Sequence, residues 1–169
     1  MEKIYCGGVF HFDYRNEDYL QSAKDDYRAI LLGDIQKMLF ECKTISLSDH
    51  LAYVGPFYFE SDGMEDTDIV IREKEQIEAS THTIFLLEDA CCPGTITEMV
   101  YAAMLQKRMS IFYVKNEEET ESRFRSACWY PICMCLELNR AHVEVVSCET
   151  HSEATEKILK HVKESILSL

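Results

Sequence analysis

Apolar residues return along this chain in two rhythms. Thr83-Ile84-Phe85-Leu86-Leu87 and Ser110 to Val114 are short, nearly unbroken apolar runs, the pattern of strands covered on both faces. Lys3 to Cys6 is strand-like and runs directly into Gly7-Gly8, and a last strand falls near His142 to Val146. Between these runs the apolar period lengthens to that of a helix. Tyr19, Ala23, Tyr27, Ile30 and Leu31 predict a helix from about Glu17 to Phe40. Ile69, Arg72, Glu73, Gln76 and Ile77 lie on related faces of a helix over Asp66 to Ser80. Thr95 opens a helix to about Lys107, and Ala154, Ile158, Val162 and Ile166 mark a final one, about Ser152 to Leu167. Tyr53 to Phe59 reads as a loop broken at Gly55-Pro56, and Asn116 to Glu121 as a solvated acidic stretch.

Strands alternating with helices predict an α/β fold: a doubly wound, flavodoxin/Rossmann-like sheet of about five mostly parallel strands with helices on both faces. No repeat or linker divides the chain, so residues 1–169 form one domain. Ligands of such sheets sit at the carboxyl ends of the strands. Gly7-Gly8 and Asp89 to Thr95 both fall there, so the two loops can share one crevice.

Composition narrows the partners. The formal net charge of −13 repels phosphate backbones, which excludes a nucleic-acid duplex. The opening residues lack a basic region followed by an apolar one, and no apolar run reaches the roughly 18–20 residues of a membrane span. A cytoplasmic protein with no membrane partner is expected. The eight cysteines then read as reduced, mostly buried thiols.

The chemistry concentrates in Pro93-Gly94-Thr95-Ile96-Thr97-Glu98-Met99-Val100-Tyr101-Ala102-Ala103. Thr95 and Glu98 have the spacing of a capping box, in which hydroxyl and carboxylate satisfy the helix end between them. The same position suits a nucleophile, because the positive helix end would keep the Glu98 carboxylate ionised. Carboxylate nucleophiles fit glycosidic chemistry, with its oxocarbenium-like transition state at C1′. Capping and catalysis compete for the same two oxygens.

Three ordered blocks resemble the nucleoside 2-deoxyribosyltransferase family. Ile4-Tyr5-Cys6-Gly7-Gly8-Val9-Phe10 is similar to its first strand and glycine-containing substrate loop. Val70 to Ser80 is similar to its helix before the central strand, and Gly94 to Ala102 to its catalytic Gly-Thr-x-x-Glu-hydrophobic-Gly-Tyr-Ala block. The resemblance runs through roughly two-thirds of the chain. It implies that Glu98 attacks C1′ of a 2′-deoxynucleoside or its 5′-monophosphate, releases the base and holds a covalent deoxyribosyl intermediate for a second base or for water. Tyr5 would orient Glu98, and Glu73, in place of the family's aspartate, would serve the leaving base. Gly7, Gly8, Phe10 and Gly94 would border the substrate. No cofactor is implied.

Departures from the pattern matter too. Cys92 stands where the transferases carry an aspartate on the sugar 5′ side, and Val100 replaces a glycine. A neutral thiol removes the repulsion that an aspartate would exert on a 5′-phosphate, and the related deoxynucleoside 5′-monophosphate N-hydrolases likewise carry a small neutral residue there. Tyr130 to Cys135 resembles the segment that family members lend to a neighbouring subunit's pocket, with Cys133 and Met134 or Cys135 at the contact positions. That match implies a homo-oligomer with shared sites; the alternative for this segment is an apolar core strand.

Four other readings compete. The first is a nucleotide-binding module of the same fold with reduced or no catalysis, and the second is hydrolysis of another N-glycoside, such as a nicotinamide nucleotide. A zinc site from Cys128, Cys133 and Cys135 with His142 or His151 lacks the paired spacing of structural zinc sites, so no metal is assigned. A thiol nucleophile at Cys91 or Cys92 lacks a recognisable histidine partner.

Overall fold

Side chains alternate across a strand, and here that alternation divides the core into two layers. Ile4, Cys6, Ile84, Leu86 and Phe112 enter one buried cluster, whereas Tyr5, Phe85, Leu87 and Ile111 enter the other. The computed structural model describes residues 1–9, 23–40, 43–57, 65–88, 93–115 and 128–166. Among them, six strands form one sheet: β1 (Glu2–Gly8), β2 (Ile45–Ser46), β3 (Leu51–Gly55), β4 (His82–Leu87), β5 (Arg108–Val114) and β6 (Val143–Cys148). Their order is β2-β3-β1-β4-β5-β6. Every adjacent pair is parallel except β2 with β3.

Helices cover both faces, as a doubly wound sheet requires. Residues of α1 (Tyr27–Leu32), α2 (Ile35–Phe40) and α6 (His151–His161) pack into the first cluster. Residues of α3 (Asp66–Ala79), α4 (Pro93–Met104) and α5 (Trp129–Asn139) pack into the second. After β1 the chain adds β3 on one side, then crosses to add β4 on the other. The strand order therefore reverses between β1 and β4, and the crevice outside their carboxyl ends is the ligand position of such folds.

Several local expectations are corrected. The predicted Glu17–Phe40 helix is interrupted within its described part. Asp26 caps α1 by accepting from the Arg28 N–H, and Gly33, at φ +66°, turns the chain out of it. Residues 51–55, partly read as loop, are the fully buried strand β3. The segment around Tyr130 to Cys135 is helix α5, not a core strand; its proline is the third helical residue, inside the first turn, where no intrahelical donor is lost. Half of a capping box does occur, but at α6, where the N-cap Thr150 accepts from the Glu153 N–H while the Glu153 carboxylate accepts from the Glu149 N–H, one residue before the cap.

Cys6, Cys128, Cys135 and Cys148 are buried free thiols, and Cys133 is an exposed one. Among the described residues, no helix is long and apolar enough to cross a membrane. No group of three or more described His, Cys, Asp or Glu side chains is placed to hold a metal ion.

Candidate active site

The helix carrying Glu98 starts at Pro93, two residues before the expected Thr95, consistent with the preference for proline at a first helical position. That shift moves Glu98 from the first turn to the second. Its carboxyl group is thereby freed from the predicted capping box and meets other neighbours: the Glu73 carboxyl on α3 and the Tyr5 hydroxyl on β1 both lie close enough to act on its ionisation. Glu73 and Glu98 stand in the wall of a cavity of about 370 Å³ between α3 and α4, with Val70, Ile77, Gly94 and Thr97 among the other lining residues. Val70, Glu73, Lys74 and Ile77 recur at helical spacing, so one face of α3 supplies one whole wall.

Gly7 is what lets Glu98 reach the strand. A methyl group at Gly7 would lie 2.6 Å from Phe85 Cδ1 and 2.9 Å from Glu98 Oε2, closer than packed atoms tolerate. At Gly8, φ is +155° and a methyl group would lie 3.1 Å from the Leu86 carbonyl oxygen. Tyr5 is fully buried one residue along from the Cys6 face, and its ring tilts against Phe85 with centroids 6.2 Å apart.

The electrostatics correct the expectation of a readily ionised Glu98. Burial pushes its carboxyl up to about 7, and the neighbouring Glu73 charge adds to the rise; the Tyr5 hydroxyl and the Arg28 charge pull the other way. Burial raises Glu73 too, while the Glu98 carboxyl beside it pulls the other way. Both carboxyls are thus held above the usual carboxylate range, and each bears on the other's ionisation. Burial outweighs the helix dipole here because the dipole fades beyond the first turn.

Behind β1, on the opposite face, Arg28 holds the strand's end. It is 1% exposed. Its guanidinium donates to Asp26 at 2.8 and 2.5 Å, to the Gly8 carbonyl at 3.1 Å and to the Val9 carbonyl at 3.0 Å. Tyr27 adds a bond to the Gly7 carbonyl at 2.9 Å. These contacts fix the glycine segment against which Glu98 rests.

Of the residues picked from sequence, Glu98, Glu73 and Gly94 line this cavity, whereas Tyr5 and Gly7 meet Glu98 from β1 without lining it, and Gly8 follows Gly7 along the strand. Phe10 and Cys92 lie outside the described residues. Cys133 and Met134 sit on α5 and do not line the cavity. Sequence reasoning missed Arg28, Lys74 and Thr97. The stripe Val70-Glu73-Ile77 was the available signal for the α3 wall, whereas nothing in the pattern marked Arg28 as buried.

No family model matches the sequence, and no curated protein matches it. Among solved structures, the Clostridium botulinum CMP N-glycosidase BcmB aligns with a TM-score of 0.53 at 11% identity, covering 95% of this chain and 99% of that one. A conserved protein from Enterococcus faecalis V583 aligns with a TM-score of 0.48 at 19% identity, covering 98% of this chain and 99% of the other. The first alignment establishes a shared Rossmann-like architecture over nearly the full length of both chains. At that identity it speaks for the fold.

Proposed function

We propose that this chain cleaves the N-glycosidic bond of a 2′-deoxynucleoside or its 5′-monophosphate through a covalent deoxyribosyl-Glu98 intermediate. The observation that carries the reading is the Glu98–Glu73 carboxyl pair in a cavity wall at the sheet's switch point. Two carboxyl groups sharing one proton are the minimum machinery of glycosidic cleavage with a covalent intermediate. The resemblance of three sequence blocks to the deoxyribosyltransferases supports the same chemistry, as does the architecture shared with a protein solved as a CMP N-glycosidase.

The steps balance on the residues present. As substrate enters, the shared proton passes from Glu98 to Glu73, a transfer favoured by the Tyr5 hydroxyl and the Arg28 charge, which both stabilise the Glu98 carboxylate. One Glu98 oxygen then forms a bond to C1′ while the C1′–N bond breaks, and Glu73 gives its proton to the leaving base. In the second half, Glu73, now a carboxylate, takes a proton from water or an incoming base as that group attacks C1′ and releases Glu98. The neutral Cys92 belongs to the same proposal as the feature that tolerates a 5′-phosphate. So does a homo-oligomer in which α5, with Trp129, Tyr130 and Leu138 exposed, borders a neighbour's cavity.

The test is incubation with deoxynucleosides and with their 5′-monophosphates, followed by chromatography for free base. Base release that disappears in Glu98→Gln supports the reading. Tight nucleotide binding without base release contradicts it and favours the binding-module alternative.

A further inference from the structure

The amino ends of β4, β5 and β6 enclose a second cavity, of about 290 Å³, bordered by His82, Arg108, Ser110, His142, Glu144 and His161. With five residue steps along β4 at about 3.3 Å each, it lies roughly 17 Å from the carboxyl-end crevice. The chemistry proposed for Glu98 uses none of these residues.

Its polar groups are organised. Ser110 Oγ lies 3.0 Å from His82 Nε2 and 2.9 Å from His161 Nε2, so one buried hydroxyl bridges two imidazoles. Having a single proton, the hydroxyl donates to one ring and accepts from the other. The two rings meet edge-on with centroids 5.5 Å apart, and His161 Nδ1 faces Glu144 at 3.8 Å. Around this chain stand the Arg108 guanidinium and the exposed His142 ring. An arginine and three histidines are thus gathered at one concavity of a protein whose net charge is −13. Glu144 is the one acidic residue in the lining, and its side chain is 59% exposed, free to turn toward solvent.

We propose that this basin binds a phosphate group, either free phosphate or the phosphate of a small phosphomonoester. The Arg108 fork matches phosphate oxygens in geometry, and the exposed His142 ring and His161 Nδ1 add donors, His82 serving through Ser110 to hold the His161 ring. The cavity exceeds a phosphate in volume, which leaves space for a small organic substituent. Burial lowers both His82 and His161, and positive neighbours lower them further: His161 and Arg108 act on His82, and Arg108 acts on His161, while Glu144 partly offsets this at His161. A bound dianion offsets the positive neighbours' part of that effect, though not the part due to burial.

The experiment is a titration of the full-length protein with inorganic phosphate and, separately, with glycerol 3-phosphate, reading histidine ring resonances by NMR against sodium chloride of equal ionic strength. Saturable movement of the His142 and His161 signals is expected in at least one arm, and the tighter arm identifies free phosphate or monoester as the ligand. Arg108 is exposed at the start of β5, so Arg108→Gln leaves the fold intact; it should weaken binding about tenfold, the loss of one charge-assisted contact. His142→Gln should weaken it less. Glu98→Gln should titrate like the parent, which separates this site from the Glu98 cavity. Ring signals that move no more than with sodium chloride, or an Arg108→Gln protein that titrates like the parent, would overturn the proposal.

Discussion

Two pairs of ionisable side chains flank the carboxyl end of β1, Arg28–Asp26 buried and Glu98–Glu73 half-buried, and desolvation acts on them with opposite results. In Arg28–Asp26 the charges are opposite. Burial pushes the Asp26 carboxyl up, but the Arg28 charge and hydrogen bonds more than compensate and leave it below its usual range. In Glu98–Glu73 both partners are acids, so burial and mutual repulsion add, and Glu98 rises to about 7. The first pair holds the Gly8 and Val9 carbonyls and has no free chemistry left. The second keeps a proton in play at neutral pH, beside a cavity. The contrast separates a structural ion pair from a reactive one without reference to any substrate.

The sharpest way to break this comparison is to neutralise one member of each pair. Glu98→Gln should reduce base release by about 10³-fold or more, because nucleophile and shared proton are both lost. Its thermal midpoint should hold or rise, since a like-charge repulsion disappears. Arg28→Met should do the opposite. A stranded Asp26 carboxylate costs about 3–5 kcal/mol in urea unfolding, and adding Asp26→Asn should recover part of the loss. If both single variants lose stability equally, the distinction between the pairs fails.

Gly7→Ala sharpens the point at smaller scale. The added methyl group must displace Phe85 or the Glu98 carboxyl, which should cost about 1–3 kcal/mol and lower turnover together with stability. The pH dependence of stability gives an effect no larger, with opposite signs at the two pairs. Glu98 is raised by folding, so its contribution is full below the unfolded value of 4.5 and is lost as pH climbs toward about 7, by about 3 kcal/mol at most. Asp26 is lowered by folding, so its contribution is present above its unfolded value of 3.8 and is lost as pH falls below it. Urea midpoints for the parent should therefore decline between pH 5 and pH 7, and Glu98→Gln should flatten that decline.

Much of this architecture was legible in the chain because buried parallel strands leave plain apolar runs. Thr83 to Leu87 and Ser110 to Val114 became β4 and β5 nearly residue for residue. The short β3 escaped because its five residues run into Gly55-Pro56, a signal that reads as loop when the sheet beside it is unknown. The long early helix was overdrawn because its apolar period continues past Gly33, whereas the left-handed conformation at Gly33 does not. At the site, sequence pattern and resemblance picked out Glu98, Glu73 and Tyr5 but not their energetics. Whether a carboxyl at a helix start is ionised depends on the depth of its burial, and a helix beginning two residues earlier changed both its depth and its partners. Arg28 is a surface-type residue by composition. Only the carbonyls of a strand end it cannot see in sequence make it a core residue.

The protonation of one side chain, Glu98, decides whether the carboxyl pair can act as proposed. Carbon-13 NMR of glutamate-labelled protein, with Glu98 assigned by comparison with Glu98→Gln, reads the carboxyl titration directly. A Glu98 midpoint near 7, with Glu73 responding to the same transition, is the expected result. A Glu98 carboxyl that ionises near 4.5, independently of Glu73, would contradict the shared-proton pair.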